Sequence, residues 1–402
     1  MIRQRPSLVV LTQHYQPEPN FITADVAEML AADFDVTVVT AHPNYPEGRF
    51  YPGVRAWRPE RRFENGVTVW RLPMFPYHGR RASGRFCSYL SFALAAALWA
   101  PLVAPRPSVA WVYHGPFTVG LASLWYRLAG TRVVFTCADL WPESFLAAQV
   151  HGPGFVMRMM YAYSRAINRV AHLLICSTRG TLRRYAADGR PASALCYVPV
   201  WIGGIPKEPP PAPQRTGVPR IVYAGNIGPA QKLDTVVRAA ALLVQEGVPV
   251  RIDMYGTGAS VEELRRLAAE VGATNLTFHG RLPPATAFVH AAGAVAQIVC
   301  LQPTPLFAMT IPSKLSFSFA AASPVLYGLV GESAVLVKES GGGIAFDPND
   351  PATLVSAIRQ VLALSPLELL KLRANLRQYY ETHFEQTRLL SRYRELFLTE
   401  GV

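Results

Sequence analysis

Along most of the chain, short apolar runs alternate with stretches whose apolar residues recur every three or four positions. In the first half the runs are "SLVVLT", "DVTVVT", "VTVWRL", "SVAWVY", "RVVFTC", "HLLICS" and "ALCYVPV". In the second half they are "RIVYAG", "VRIDMYG", "NLTFHG", "AVAQIVC", "SPVLYG" and "GGIAF". Short length and β-branched content mark these runs as strands. Helical spacing marks most of the segments between them, among them Phe21–Ala32 and Phe117–Ala129. Strands alternating with helices predict parallel sheets covered on both faces, a doubly wound α/β architecture. In such sheets ligands bind beyond the carboxyl ends of the strands, so chemistry is sought on the loops that follow them.

The alternation is broken by "GGIPKEPPPAPQRTGVP", Gly203–Pro219. A proline run with few apolar residues cannot join a core and reads as a linker. Two domains are therefore expected, residues 1–203 and 220–380, joined by 204–219, which suits a chain of 402 residues. A helical stretch over 381–402 is expected to pack back across the first domain.

In "IVYAGNIGPAQKLDTVVRAAALL", Gly225 and Gly228 stand between a strand and a helix whose apolar positions are Leu233, Val236, Val237, Ala240 and Leu243. Glycine lets backbone N–H groups converge, the helix N-terminus adds positive potential, and Lys232 is expected in the first turn of that helix, a setting for a diphosphate. The next strand ends in Gly256 and Gly258, followed by Ser260 and Glu263 at capping-box spacing. Another ends in Gly280 and Arg281. After "AVAQIVC", Pro312 opens a helix, and Ser313 and Lys314 stand where an anion would sit. Three successive strand ends carrying glycine favour a nucleotide-binding face. The dinucleotide fingerprint and the P-loop pattern are both absent, which argues against NAD and ATP enzymes.

The first half offers polar groups on the equivalent loops: "PEPNF" with Asn20, "HPNYPEG", His114, and "ADLWPES" with Asp139 and Glu143. A carboxylate there serves as a base or orients a hydroxyl. Asp139 is the preferred candidate, and Glu143 and His114 accompany it as catalytic candidates.

The net charge of +12 suits polyanionic partners without choosing among them. Five scattered cysteines with no C-x-x-C pair read as buried thiols in a reducing compartment, and not as a zinc site. The opening "MIRQRPSLVVLTQHY" reads as a first strand, not a signal peptide. Ser88–Ala104 carries no charge and sits at the lower limit of length for a membrane span. It is read as a helix that is buried or lies at a membrane surface. Before it, from Arg55 to Arg85, arginine mixes with aromatics such as Trp57, Phe63 and Tyr77. That composition suits an anionic lipid surface, and no nucleic-acid module appears.

In order along the chain, "PEPNF", "HPNYPEGRFYPG", "SYLSFALAAAL", "DLWPES", "YAGNIGPAQKLD" and "IPSKL" resemble the family 4 glycosyltransferases of the GT-B fold. Within that family they resemble the branch of bacterial surface-polysaccharide enzymes of the colanic-acid and O-antigen type. The resemblance implies two Rossmann-like domains facing a central cleft, an acceptor domain first and a nucleotide-sugar domain second. It implies transfer of a sugar from a UDP- or GDP-sugar to a hydroxyl, retaining configuration, with no cofactor and no metal. Gly225, Asn226 and Gly228 would lie near the diphosphate, with Lys232 beside them. Gly256 and Arg281 would lie near the nucleotide, and Pro312, Ser313 and Lys314 near the sugar or phosphate. The acceptor would be polyprenyl-linked or an oligosaccharide, and the enzyme would sit peripherally on the anionic inner face of the cytoplasmic membrane.

The chain departs from the family pattern at several points. Met309 and Phe317 replace two glutamates eight positions apart, Ala322 replaces a glycine, and Asn226 and Gln231 replace an arginine and a lysine of the phosphate loop. An alternative reading follows, a catalytically degenerate GT-B subunit that binds or stabilises a partner transferase. A nucleotide-sugar epimerase would need an acid–base set that the sequence does not offer. Two patterns are set aside. Glu262 and Glu270 belong to a solvated helix face, and Asp33 and Asp35 precede a strand at the wrong end of the sheet for a metal-binding D-x-D.

Overall fold

A computed structural model describes residues 5–19, 21–79, 81–113, 115–143, 154–210 and 217–399. The chain divides into two compact units, Met1–Val200 with Gln386–Val402, and Trp201–Glu385.

The first unit is built on eight strands: β1 (Ser7–Leu11), β2 (Asp35–Ala41), β3 (Glu60–Glu64), β4 (Val67–Leu72), β5 (Val109–Tyr113), β6 (Arg132–Cys137), β7 (Leu173–Cys176) and β8 (Leu195–Tyr197). Their order is β3-β4-β2-β1-β5-β6-β7-β8, all parallel except β3. Strands covered on both faces cannot alternate apolar and polar residues, and all five residues of β5 are buried. The exception, β3, is the strand that the apolar pattern does not mark. Its sequence "ERRFE" is charged and exposed because it pairs only with β4, at the edge.

The second unit has six parallel strands: β9 (Arg220–Ala224), β10 (Arg251–Tyr255), β11 (Leu276–Gly280), β12 (Ala296–Cys300), β13 (Val325–Gly328) and β14 (Gly343–Ala345), in the order β11-β10-β9-β12-β13-β14. The chain leaves β9 to one side for β10 and β11, and crosses to the other for β12. The loops after β9 and β12 therefore flank the topological switch point, where doubly wound sheets hold ligands. The helix Asp234–Gln245 turns Val236, Val237, Ala240 and Leu243 fully inward against this sheet, as its spacing predicts.

The last helix, Gln386–Leu398, belongs to the first unit. Tyr393 and Phe397 pack their rings on buried Trp111, 6.0 and 5.7 Å away between centroids. Arg394 grips both oxygens of Asp33 at 2.7 Å, which gives the first aspartate of the D-x-D a structural task. Among the cysteines, Cys87 is exposed and Cys196 partly so, contrary to the reading of all five as buried. Cys87 lies on a helix with two apolar faces, and it falls on the outer one.

Candidate active site

Two glycine loops interlock at the carboxyl ends of β9 and β10. Gly225 N–H donates to Tyr255 O (2.8 Å) and Ile227 N–H to Thr257 O (2.9 Å). Gly256 holds φ +145, and a Cβ there would lie 1.8 Å from the Gly225 carbonyl oxygen. Only glycine tolerates both that conformation and that approach. Gly256 N–H in turn donates to Gly280 O (2.7 Å), so the end of β11 joins the same layer. Arg281 begins there and is exposed.

Gly225 has φ +142, and its bare Cα is the bed for a side chain from far along the chain. A Cβ on Gly225 would lie 2.3 Å from Lys314 Cε and 2.9 Å from Lys314 Nζ. Lys314 stands in the first turn of the helix Ser313–Ala320, with Pro312 at the N-cap. Its ammonium lies 5.5 Å from the centre of the buried Tyr223 ring, a cation–π distance. Burial pushes the Lys314 pKa down to about 8. The mouth of β9 thus combines a cation, a helix N-terminus and glycine-lined backbone, the components that hold a diphosphate.

The rest of the loop is braced. Gln231 Oε1 accepts from Gly228 N–H (3.0 Å) and Asn226 Nδ2 (3.2 Å), so both candidates touch one side chain. From the loop after β12, Gln302 donates its backbone N–H to Ala230 O and its Nε2 to Pro229 O, each at 2.9 Å. Lys232 is not in the first turn of the helix. It adopts φ +51 after the short turn Pro229–Gln231, and its ammonium is held by Asp234 at 2.9 Å. There it lines a hollow with Gly228, Arg238, Ser260 and Glu263. The capping box read at Ser260 and Glu263 does not form. Ser260 makes no side-chain cap, and its N–H donates to Ile227 O (3.1 Å), closing the glycine loop.

Phe317 meets Phe288 edge-on at 5.8 Å and packs against the core of the unit, so this position is apolar by construction. Met309 ends the short turn Phe307–Met309 and is half-buried. Ala322 adopts φ +48, so the residue standing in place of glycine keeps glycine's left-handed backbone.

In the first unit, Asp139 follows β6. Its side chain opens to solvent on one side, yet the protein around it strips enough hydration to push its carboxyl up to about 6. Glu143 is paired with Arg184 at 3.3 Å and lines a separate hollow with Tyr161, Arg165 and Arg169. Asn20 and His114 lie outside the described residues.

Glu18 lies in "PEPNF", the motif from which the sequence offers Asn20 as the candidate. It is buried, and its carboxylate accepts from Asn44 N–H (2.6 Å), Tyr45 N–H (2.7 Å), Tyr15 N–H (3.3 Å) and His14 Nδ1 (3.1 Å). It ties the loops after β1 and β2 together, and the His14 ring meets Tyr45 at a tilt of 51°, 5.0 Å between centroids.

The chain is similar to known proteins over both units. Residues 19–201 match the Glycosyl transferase 4-like domain, and residues 218–363 match Glycosyl transferases group 1. WbjE of Pseudomonas aeruginosa, named as a glycosyltransferase, is 25% identical over 58% of this chain and 61% of its own length, so the match spans less than two thirds of that protein. WcaI of Escherichia coli (strain K12), named as a colanic acid biosynthesis glycosyl transferase, is 25% identical over 89% of this chain and 92% of its own. Among solved structures, Anabaena Alr3699/HepE in complex with UDP-glucose superposes with a TM-score of 0.68 at 12% identity, covering 98% of this chain and 99% of that one. Two domain matches in series, on two doubly wound units whose second bears an interlocked glycine loop, leave one assignment: the chain belongs to the family 4 glycosyltransferases of the GT-B fold.

Proposed function

We propose that this glycosyltransferase moves a sugar from a UDP- or GDP-sugar to a hydroxyl of a polyprenyl-linked or oligosaccharide acceptor in surface-polysaccharide assembly. It does so with retention and without a metal, as a peripheral protein on the inner face of the cytoplasmic membrane. The observation that carries the reading is Lys314 lying across the bare Cα of Gly225 at the switch point of the second sheet. Breaking the sugar–phosphate bond builds negative charge on the leaving diphosphate. A cation and oriented backbone dipoles already in place stabilise that charge without reorganising. Gly225, Asn226 and Gly228 receive the diphosphate in this reading. Gly256 and Arg281 face the nucleoside, and Pro312, Ser313 and Lys314 face the transferred group. Lys232, engaged by Asp234, serves as a reserve cation at the rim. On the acceptor side Asp139 takes or orients the attacking hydroxyl, Asn20 and His114 are assigned to the same acceptor, and Glu143 holds the loop through Arg184. The name of WcaI supports the polysaccharide setting, and the UDP-glucose held by the Anabaena protein supports the donor class.

Phe317 favours a second reading, a catalytically degenerate subunit that still holds the donor but serves to bind or stabilise a partner transferase, because an apolar ring takes the place of a sugar-binding carboxylate. A thermal-shift panel of nucleotide sugars tests the first part of both. A ligand at a hundred times its Kd stabilises by about 2.7 kcal/mol. One nucleotide class is expected to raise the melting temperature, and Lys314→Ala to lose most of that shift. Incubation of the stabilising sugar with lipid-linked acceptors then separates transferase from inert subunit. Indifference of both proteins to every nucleotide removes the assignment of the loop.

A further inference from the structure

The helix Ala82–Val103 is apolar on two opposite faces. One face carries Ser88, Phe92, Ala96 and Ala100, all buried against the first unit. The other carries Phe86, Leu90, Leu94, Leu98 and Leu102, spaced four apart and exposed, Leu98 and Leu102 by 73% and 70%. A helix on the surface of a protein in water normally turns a polar face outward. This one shows a leucine seam roughly 24 Å long. The seam does not stand alone. The segment Ser123–Leu128 packs beside the helix and exposes Trp125 and Leu128. The helix Gly154–Val170 packs beside that segment and exposes Phe155 and Met159. An apolar tract of this breadth marks an interaction surface.

Charge names the occupant. The first unit carries 24 arginines and 13 carboxylates, and the second 15 basic residues and 14 acidic ones, so +11 of the +12 belongs to the unit bearing the seam. From Asn65 to Ala138 there is no Asp or Glu, and the seven charged residues are all arginine. Arg81, Arg106 and Arg127, all exposed, stand at the helix start, just past its end and on the neighbouring segment. Apolar side chains rimmed by arginine, with a tryptophan among them, match an anionic bilayer surface. The arginine-rich stretch before the helix is a weaker candidate. Arg71 is buried, and Arg62 is paired with Glu60 at 2.6 Å.

We propose that Ala82–Val103 seats the first unit on an anionic bilayer by lying in the plane of the interface, its inner face in protein and its outer seam in lipid. This rests on the reading of a membrane-surface enzyme and specifies the seat. The segment Ser83–Val103 is long and apolar enough to cross a membrane. A crossing helix surrounded by lipid would have to strip Phe92, Ala96 and Ala100 from the core, where each is fully buried.

The test is flotation of the full-length protein with phosphatidylcholine vesicles, with and without phosphatidylglycerol, at rising salt. The wild type is expected to float with the anionic vesicles, and salt to weaken that binding without abolishing it, because the apolar part is unscreened. The double substitution Leu94→Glu, Leu98→Glu is expected to lower the partition coefficient at least tenfold, about 1.4 kcal/mol, with an unchanged melting temperature. Arg61→Ala with Arg62→Ala is expected to keep it within about twofold. In a Leu98→Trp protein, lipids brominated near the headgroup should quench the new fluorescence more than lipids brominated at the chain ends. Wild-type partitioning by the double variant overturns the proposal, as does strongest quenching at the bilayer centre. So does a wild-type dimer that the double variant converts to monomer, since a second copy would then cover the seam. A wild type indifferent to every vesicle removes the membrane reading itself, a result distinct from binding through another face.

Discussion

Lys314 sits where burial and function oppose each other. Its pKa, lowered from 10.5 to about 8, means that the folded protein gives up this proton more readily than the unfolded chain. Stability therefore rises as pH climbs from about 8 towards 10.5, and below 8 the half-buried charge is a standing cost. A bound diphosphate reverses the balance by favouring the ammonium. Nucleoside diphosphate binding at pH 8 is accordingly expected to take up about half a proton, with affinity falling above that pH. Calorimetry in two buffers of different ionisation enthalpy measures the uptake, and Lys314→Met should abolish it. The neighbouring glycines separate in the same experiments. At Gly256 an added methyl meets backbone, so Gly256→Ala is expected to cost roughly 3 kcal/mol of stability, combining strain and overpacking. At Gly225 it meets the flexible end of Lys314. Gly225→Ala should cost about 1–2 kcal/mol of stability and lose the ligand-induced thermal shift. Equal destabilisation with a retained shift at Gly225 would contradict the contact.

Among the elements, the last helix shows how burial outweighs charge. Tyr393 is fully buried on Trp111, and its hydroxyl lies 3.3 Å from Thr136 Oγ1, which also accepts from Trp111 Nε1 at 2.9 Å. Arg394 makes the better-looking contact, two bonds to Asp33, but on the surface. Tyr393→Ala is expected to cost about 3–5 kcal/mol, the range for a large aromatic lost from a core. Arg394→Ala should cost no more than about 1 kcal/mol. Denaturant unfolding of the two variants orders them, and a reversed order would sink the argument. The same contrast explains what the sequence discloses. Central parallel strands are continuous apolar runs, and the helix beside Gly225 has its apolar residues at one spacing, so both are legible. The glycine turns are legible because their chemistry is local. Strand β3 is not, because an edge strand needs no apolar pattern. The capping box at Ser260 and Glu263 fails because a tertiary bond to Ile227 claims the N–H that Glu263 would take. The Glu18 bonds to Asn44 and Tyr45 and the Lys314–Gly225 contact stay hidden because each joins residues far apart along the chain.

At the scale of the whole molecule, the uneven spread of tryptophan lets the two units be followed separately. Six of the seven tryptophans belong to the first unit and only Trp201 to the second. The residues assigned to the nucleotide all belong to the second. Fluorescence during heating thus reports mainly the first unit, while calorimetry reports both. Multi-domain chains commonly unfold in more than one step, so two calorimetric transitions are expected. A nucleoside diphosphate at a hundred times its Kd adds about 2.7 kcal/mol to the unit that binds it. For a unit of this size that amounts to a rise of roughly 5–10 °C. The rise should appear in one calorimetric transition and leave the fluorescence midpoint within about a degree, because mass action stabilises only the unit that unfolds with its ligand. Gly225→Ala should remove the rise without moving the fluorescence midpoint. If the fluorescence midpoint climbs by the full amount while a second transition stays fixed, the nucleotide belongs to the first unit. The glycine loops of the second would then be structural turns and nothing more.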